Sequence, residues 1–569
     1  MRICDIVIRI PGEIMRTRVV LMAVGSALAV FPCAFAADPF DNLAREFWQW
    51  RAGQQPAGQD DMPRIDRPAE WTPEWSKDSV ARQREQLTAF EQRWRGLDPS
   101  GWSVPRQVDY RLLGSALARV RWELDITRNW RRNPTFYIDQ TLAAVYDRML
   151  QPPPFDPARS NAIVRRMNAI PGILEDAKRN LDLAARPLGQ LAIAHLKDIR
   201  PKLLKAVAEL KPLLDSTASA DIDGVTAKAI SALESYRAWL DAKLESMTTD
   251  TAVGLEAYQF FLKNVALMPY TPEQLLDMGR QEWERTVAFE SYERQRNKGK
   301  PELRLPATEA EQIERQKRDE AATRKYLDDK GFLTFPKWLH HYWNLPLPAY
   351  LAALPELGVT DDLTGPTRLS DNATSYVRPP SPQLGYFALA AARDPRVMIM
   401  HEGVHYYQLA LSWANEDFIR RYYYDSGANE GIGFYAEEMA LQAGLFDDSP
   451  RSREIIYSFM RLRALRVEAD VKLALGEFSI EQAANYLQKT VPMDEGTARW
   501  EAAFFASAPG QAISYQIGKL QIIQFLADAR RIQGDAFNLK AFHDFLLKNG
   551  NVPIALQRWE YLGTKPEGL

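Results

Sequence analysis

Apolar residues recur at three- and four-residue spacing along most of this chain, with charged side chains between them, and that period predicts helices. It is clearest from Val108 to Arg131, from Ala158 to Leu183 and along Leu188 to Met247. Thr271-Pro272-Glu273-Gln274 reads as a helix start: Thr271 can cap free amides, Pro272 suits the first helical position and Gln274 can reach back in a capping box. Arg280 to Lys330, dense in Glu, Arg, Lys and Gln, predicts a solvated helical pair. Between Asn344 and Pro382 prolines, with Gly358 and Gly365, interrupt the period. This stretch reads as loop, followed by a short strand at Tyr386-Phe387-Ala388-Leu389. The expected fold is mainly α, with a few short strands near the next helix.

That helix carries the candidate chemistry. Asp394 is placed to cap it and Pro395 to open it, and apolar Val397, Met398 and Ile399 bury it. His401-Glu402-Gly403-Val404-His405 follows. Residues four apart share a helix face, so the His401 and His405 imidazoles can reach one cation at about 2.0–2.1 Å, while Glu402 lies about 100° round the axis, near a metal-activated water. A catalytic zinc site takes a third protein ligand and keeps one position open. The candidate is Glu430, 25 residues beyond His405 and in the first turn of a helix starting at Ser426 to Asn429. Glu437, two turns on, is placed to accept the distal N–H of His401 or His405. Two imidazoles and a carboxylate suit one Zn²⁺ ion. His195, His340, His341 and His543 lack such partners in the sequence and read as structural or surface residues.

Charge and composition mainly exclude. With 71 basic and 74 acidic residues the formal net charge is −3, which gives no footprint for nucleic acid. Residues 1–36 read as a cleaved signal peptide: basic Arg16 and Arg18, the apolar run Val19 to Val30, then Ala34-Phe35-Ala36, with Met15 a possible true start. The run is short for a bilayer span, so the mature chain, 37–569, is expected to be a periplasmic or secreted single helical unit with its metal site within 394–440. Cys4 and Cys33 both fall in the leader, which removes disulfides and thiol chemistry from the mature protein.

Asn429-Glu430-Gly431-Ile432-Gly433-Phe434-Tyr435-Ala436-Glu437 resembles the Asn-Glu-Gly-Trp-Ala-Leu-Tyr-Ala-Glu signature of the DUF885 family, itself similar in pattern to gluzincin metallopeptidases. Pro509 to Lys519 and Phe542 to Pro553 are similar to that family's C-terminal signatures. The common family form has a Pro-Gly insertion between the histidines, which this chain lacks. The resemblance implies a two-lobed helical body around a deep cleft, and a tyrosine, here Tyr515, that stabilises an oxyanion; Lys519, one turn on, is either a contact for a peptide carboxylate or a surface lysine. Together these readings point to an exported zinc metallopeptidase acting on peptides, with Glu402 as general base. The same ligands also admit a periplasmic binding or assembly protein that keeps zinc for structure, and a zinc hydrolase or lyase of a non-peptide amide.

Overall fold

The computed structural model describes residues 38–58, 67–361, 365–491 and 493–566, so the leader reading, residues 1–36 with both cysteines, lies outside the described residues. The fold is mainly helical, 71% helix against 3% strand. In the N-terminal half α1 (Pro157–Asn180) and α2 (Ser216–Lys243) pack along each other. The long run expected from Leu188 to Met247 is broken into Arg186–His195, Ile199–Leu210 and α2. The breaks have local causes: Asp198 takes a left-handed φ of 57°, and Asp215 caps α2 through the Thr217 and Ala218 amides. Likewise the helix begun at Val104 widens into a π turn at Trp122–Thr127 and stops at Arg128, φ 48°.

The C-terminal half is built from α3 (Pro272–Arg296), α4 (Glu309–Asp329), α5 (Val404–Trp413), α6 (Ser426–Ala443), α7 (Pro450–Leu475), α8 (Glu495–Ser507) and α9 (Gln511–Gln533). Thr271 and Gln274 form the expected capping box, each side chain bonding the other's amide at 3.3 and 2.8 Å. The solvated pair is only half right. Helices α3 and α4 exist, but Glu282, Glu290, Glu293 and Glu320 are buried against basic side chains such as Arg285, Arg461, Arg453 and Arg324. A charged residue buried with its partner is indistinguishable in sequence from one in water.

The strand expected at Tyr386–Leu389 is a helix, Tyr386–Arg393. Its run of alanines favours helix, and Tyr386 and Phe387 pack on Phe459 rather than in a sheet. The strands lie instead inside the proline-rich stretch read as loop: β1 (Tyr342–Pro346) runs parallel to β3 (Ala373–Val377), and β2 (Thr360–Asp361) pairs antiparallel with β3. Gln316 of α4 pins β1, donating to the Tyr342 carbonyl and accepting from the Asn344 amide at 2.9 and 3.0 Å. Residues Phe40–Leu569 form one unit, with a large apolar cluster in the N-terminal half and another around α5 and α6.

Candidate metal centre

Asp394 opens the histidine segment as read from sequence, its Oδ1 accepting from the Arg396 amide at 3.0 Å. The backbone then widens into a π turn over Ile399–Gly403 before continuing as α5. Such turns are rare and frequent at functional sites. Val397, Ile399 and Met400 are buried on one side of it, which fixes the mount.

His401 and His405, both 4% exposed, bring their Nε2 atoms to 3.2 Å from each other. Glu430 Oε2, from the facing helix α6, lies 3.3 Å from each. Four tetrahedral ligands at about 2.0–2.1 Å stand about 3.3–3.4 Å apart, so this near-equilateral triangle has the dimensions of one face of a zinc tetrahedron. Glu430 Oε2 is buried without a hydrogen-bond partner, an arrangement that is costly unless a cation fills it. The residues therefore fit a divalent ion. The electrostatics agree. Burial works against a charged His401, but the Glu430 and Glu437 carboxylates outweigh it and raise its pKa to about 10. Burial likewise opposes the Glu430 carboxylate, yet the two imidazoles hold its pKa well below the usual range. The pocket is built for net positive charge. Gly433 lets both rings lie against α6, since a Cβ there would come within 2.7 Å of His405 Cε1 and 3.0 Å of His401 Nδ1.

The remaining site residues are placed unequally. Glu437 Oε1, fully buried, stands 2.8 Å from His401 Nδ1. Glu402, half-buried, follows His401 in the chain and is near enough to favour its charge. The Tyr515 ring lies nearly parallel to His401 with centroids 6.2 Å apart, and Glu430 is close enough to push the phenol pKa up, adding to the effect of burial. Lys519 is neither at the surface nor offered to a ligand: it is 0% exposed, and its Nζ donates to Glu282 at 3.0 Å and Glu438 at 2.6 Å. It joins α9 to α3 and α6. His543 is a satisfied core histidine, between Tyr435 Oη at 2.8 Å and the Phe332 carbonyl at 3.0 Å, and His341 pairs with Glu320.

Two residues escaped the sequence reading. Arg463 of α7 donates to Glu437 Oε1 at 3.0 Å, completing a buried chain from guanidinium to carboxylate to imidazole. Arg466, one turn on, holds its Cζ 4.5 Å from the Tyr515 ring centroid while pairing with buried Glu501 of α8. The one available signal was the i, i+3 arginine pair set among apolar Leu462, Ala464, Leu465 and Val467.

Among the described residues no helix is long and apolar enough to cross a membrane. No curated protein matches the chain. Two solved structures share its fold: a candidate lipoprotein of unknown function from Shewanella oneidensis, at 16% identity and TM-score 0.68, covering 92% of this chain and 98% of that one; and a candidate lipoprotein from Colwellia psychrerythraea, at 16% identity and TM-score 0.74, covering 92% and 99%. The Glu430 and Tyr515 segments fall within residues 57–559, which match the family described as bacterial proteins of unknown function, and by that match the chain belongs to the DUF885 family.

Proposed function

We propose that this chain is an exported zinc-dependent peptidase. The observation that carries the reading is the triangle of His401 Nε2, His405 Nε2 and Glu430 Oε2, with sides of 3.2, 3.3 and 3.3 Å. When bound, zinc supplies a Lewis acid that activates water and polarises a carbonyl. The chain's own residues supply the rest. Glu402 takes a proton from the attacking water at its carboxylate and returns it to the leaving amine. The Tyr515 phenol donates to the oxygen on which charge develops, a contribution of about 10²–10³ in rate. Glu437, backed by Arg463, fixes the ring of His401. Export is supported by the leader-like segment and by fold relatives described as candidate lipoproteins.

The test is metal analysis together with digestion of a peptide library. Wild type is expected to carry one zinc per chain and cleave; Glu402→Gln to keep zinc and lose cleavage; Glu430→Ala to lose both. Zinc-loaded protein that leaves every peptide intact, or Glu402→Gln cleaving at the wild-type rate, sinks the reading.

A further inference from the structure

A cavity of about 590 Å³ does not touch the three candidate ligands, but part of its wall comes from residues next to them in the chain. Its wall includes Ser426 and Gly427, one turn before Glu430 on α6, and Gln511 and Ser514, just before Tyr515 on α9. At another part of the wall three guanidiniums, Arg67, Arg148 and Arg166, gather round one carboxylate, Asp147. Asp147 Oδ2 serves two of them, Arg148 at 2.9 Å and Arg166 at 3.1 Å. Among the described residues Arg67 donates to the Gln55 and Pro56 carbonyls, at 2.8 and 3.1 Å. Arg67 and Arg166 both stack on the Trp71 ring, at 3.7 and 4.7 Å, and Arg166, 5% exposed, has its Nε without a partner. Other acids on the wall are engaged: Glu123 by Arg51, Asp361 by Arg368, and Asp156 and Asp425 by amides of their own helices; Asp139 is not free either. Burial opposes the Arg67 charge and Asp147 supports it, but Asp147 is shared with Arg148 and Arg166, so among the described residues here three guanidiniums face one carboxylate.

We propose that this cavity is a substrate subsite in which Arg67 and Arg166 bind a carboxylate of a peptide whose backbone runs on toward Glu430 and Tyr515. The identity of the ligand rests on the peptidase reading; the anion site rests on the arginines. Guanidinium forks on an aromatic face match a carboxylate bidentately, and the volume lies in the range of ordinary ligand sites. The carboxylate comes either from the peptide's C-terminus or from an Asp or Glu side chain.

The experiment uses the zinc-loaded Glu402→Gln protein, which holds peptides without cutting them. Three tryptophan-free pentapeptides are titrated, followed by calorimetry and by the fluorescence of the cavity tryptophans: a free acid, its C-terminal amide, and the amide with one internal Asp. The expected result is binding about 10- to 100-fold tighter for an acid-bearing peptide than for the neutral amide, a gap removed by Arg67→Gln and partly restored by Arg67→Lys. Preference for the free acid alone identifies the C-terminus; equal preference for the Asp peptide identifies a side chain. Equal binding of all three, no binding of any, or an Arg67→Gln loss shared by acid and amide overturns the proposal. An unchanged melting temperature for Arg67→Gln separates these results from misfolding. Cleavage by wild type without any carboxylate preference sinks the subsite and leaves the metal centre standing; carboxylate-dependent binding without cleavage does the reverse.

Discussion

Gly431 and Gly518 meet backbone to backbone where α6 crosses α9: a Cβ on Gly431 would lie 2.7 Å from Gly518 Cα, and one on Gly518 would lie 2.1 Å from the Gly427 carbonyl oxygen. Each glycine belongs to a different signature segment, and their contact sets the register between two residues that shortly precede them, Glu430 and Tyr515. Neither neighbour is a flexible side chain that could swing aside. Gly431→Ala or Gly518→Ala should therefore cost about 1–3 kcal/mol or more in urea unfolding and lower zinc content. Gly224→Ala, a helical position with nothing within 4 Å, is the control and should be neutral or slightly stabilising.

Zinc should stabilise the fold through the same three ligands. At a free concentration of about 100 times the dissociation constant it adds about 2.7 kcal/mol, read as a rise in melting temperature that EDTA reverses. His405→Ala should abolish the zinc-dependent rise. A rise of equal size in that variant would place the metal elsewhere.

Arg463 and Glu437 form an ion pair with almost no water, 2% and 0% exposed. Replacing Arg463 with Met leaves the buried Glu437 carboxylate with His401 alone to balance it and should cost up to about 3–5 kcal/mol in the metal-free protein. Glu437→Gln in the same chain should recover most of that loss while lowering zinc affinity about 10- to 100-fold, because the carboxylate beside His401 is gone. Calorimetric zinc titration of the single and double variants separates the two effects.

Tyr515→Phe should leave zinc content unchanged and lower kcat by about 10²–10³, with little change in KM. An unaltered kcat would return Tyr515 to a packing role against His401 and Arg466.

Glu282 carries an acid-sensitive share of the stability. Burial opposes its charge, but Lys519 and Arg285 outweigh burial and bring its pKa from the ordinary 4.5 to about 2. A depressed folded pKa stabilises fully above about pH 4.5, and the gain disappears as pH falls toward about 2. Glu282→Gln should thus be less stable than wild type at pH 7 by up to about 3 kcal/mol, with the gap narrowing steadily as pH falls from 4.5 toward about 2. A gap independent of pH over that window would mean the loss is one of shape alone.

Helical geometry acts locally, and its consequences are legible along the chain. The 3.6-residue period, the Thr271 and Asp394 caps and the placing of His401 and His405 on one face depend only on neighbours within a turn or two. The Glu430 and Glu437 placements were legible too, because seven residues are close to two turns on one helix. Tertiary structure alone decided the rest. Lys519 meets Glu282 across 237 positions, Arg466 meets Glu501 across 35, and β1 pairs with β3 across a proline-rich stretch that reads as loop. Charged residues carry the same signal in sequence whether solvated or desolvated against a partner, and only packing chooses between those states. For that reason the candidate ligands could be proposed along the chain, while the buried arginines behind them and the arginine-lined cavity appeared only once the helices were in place.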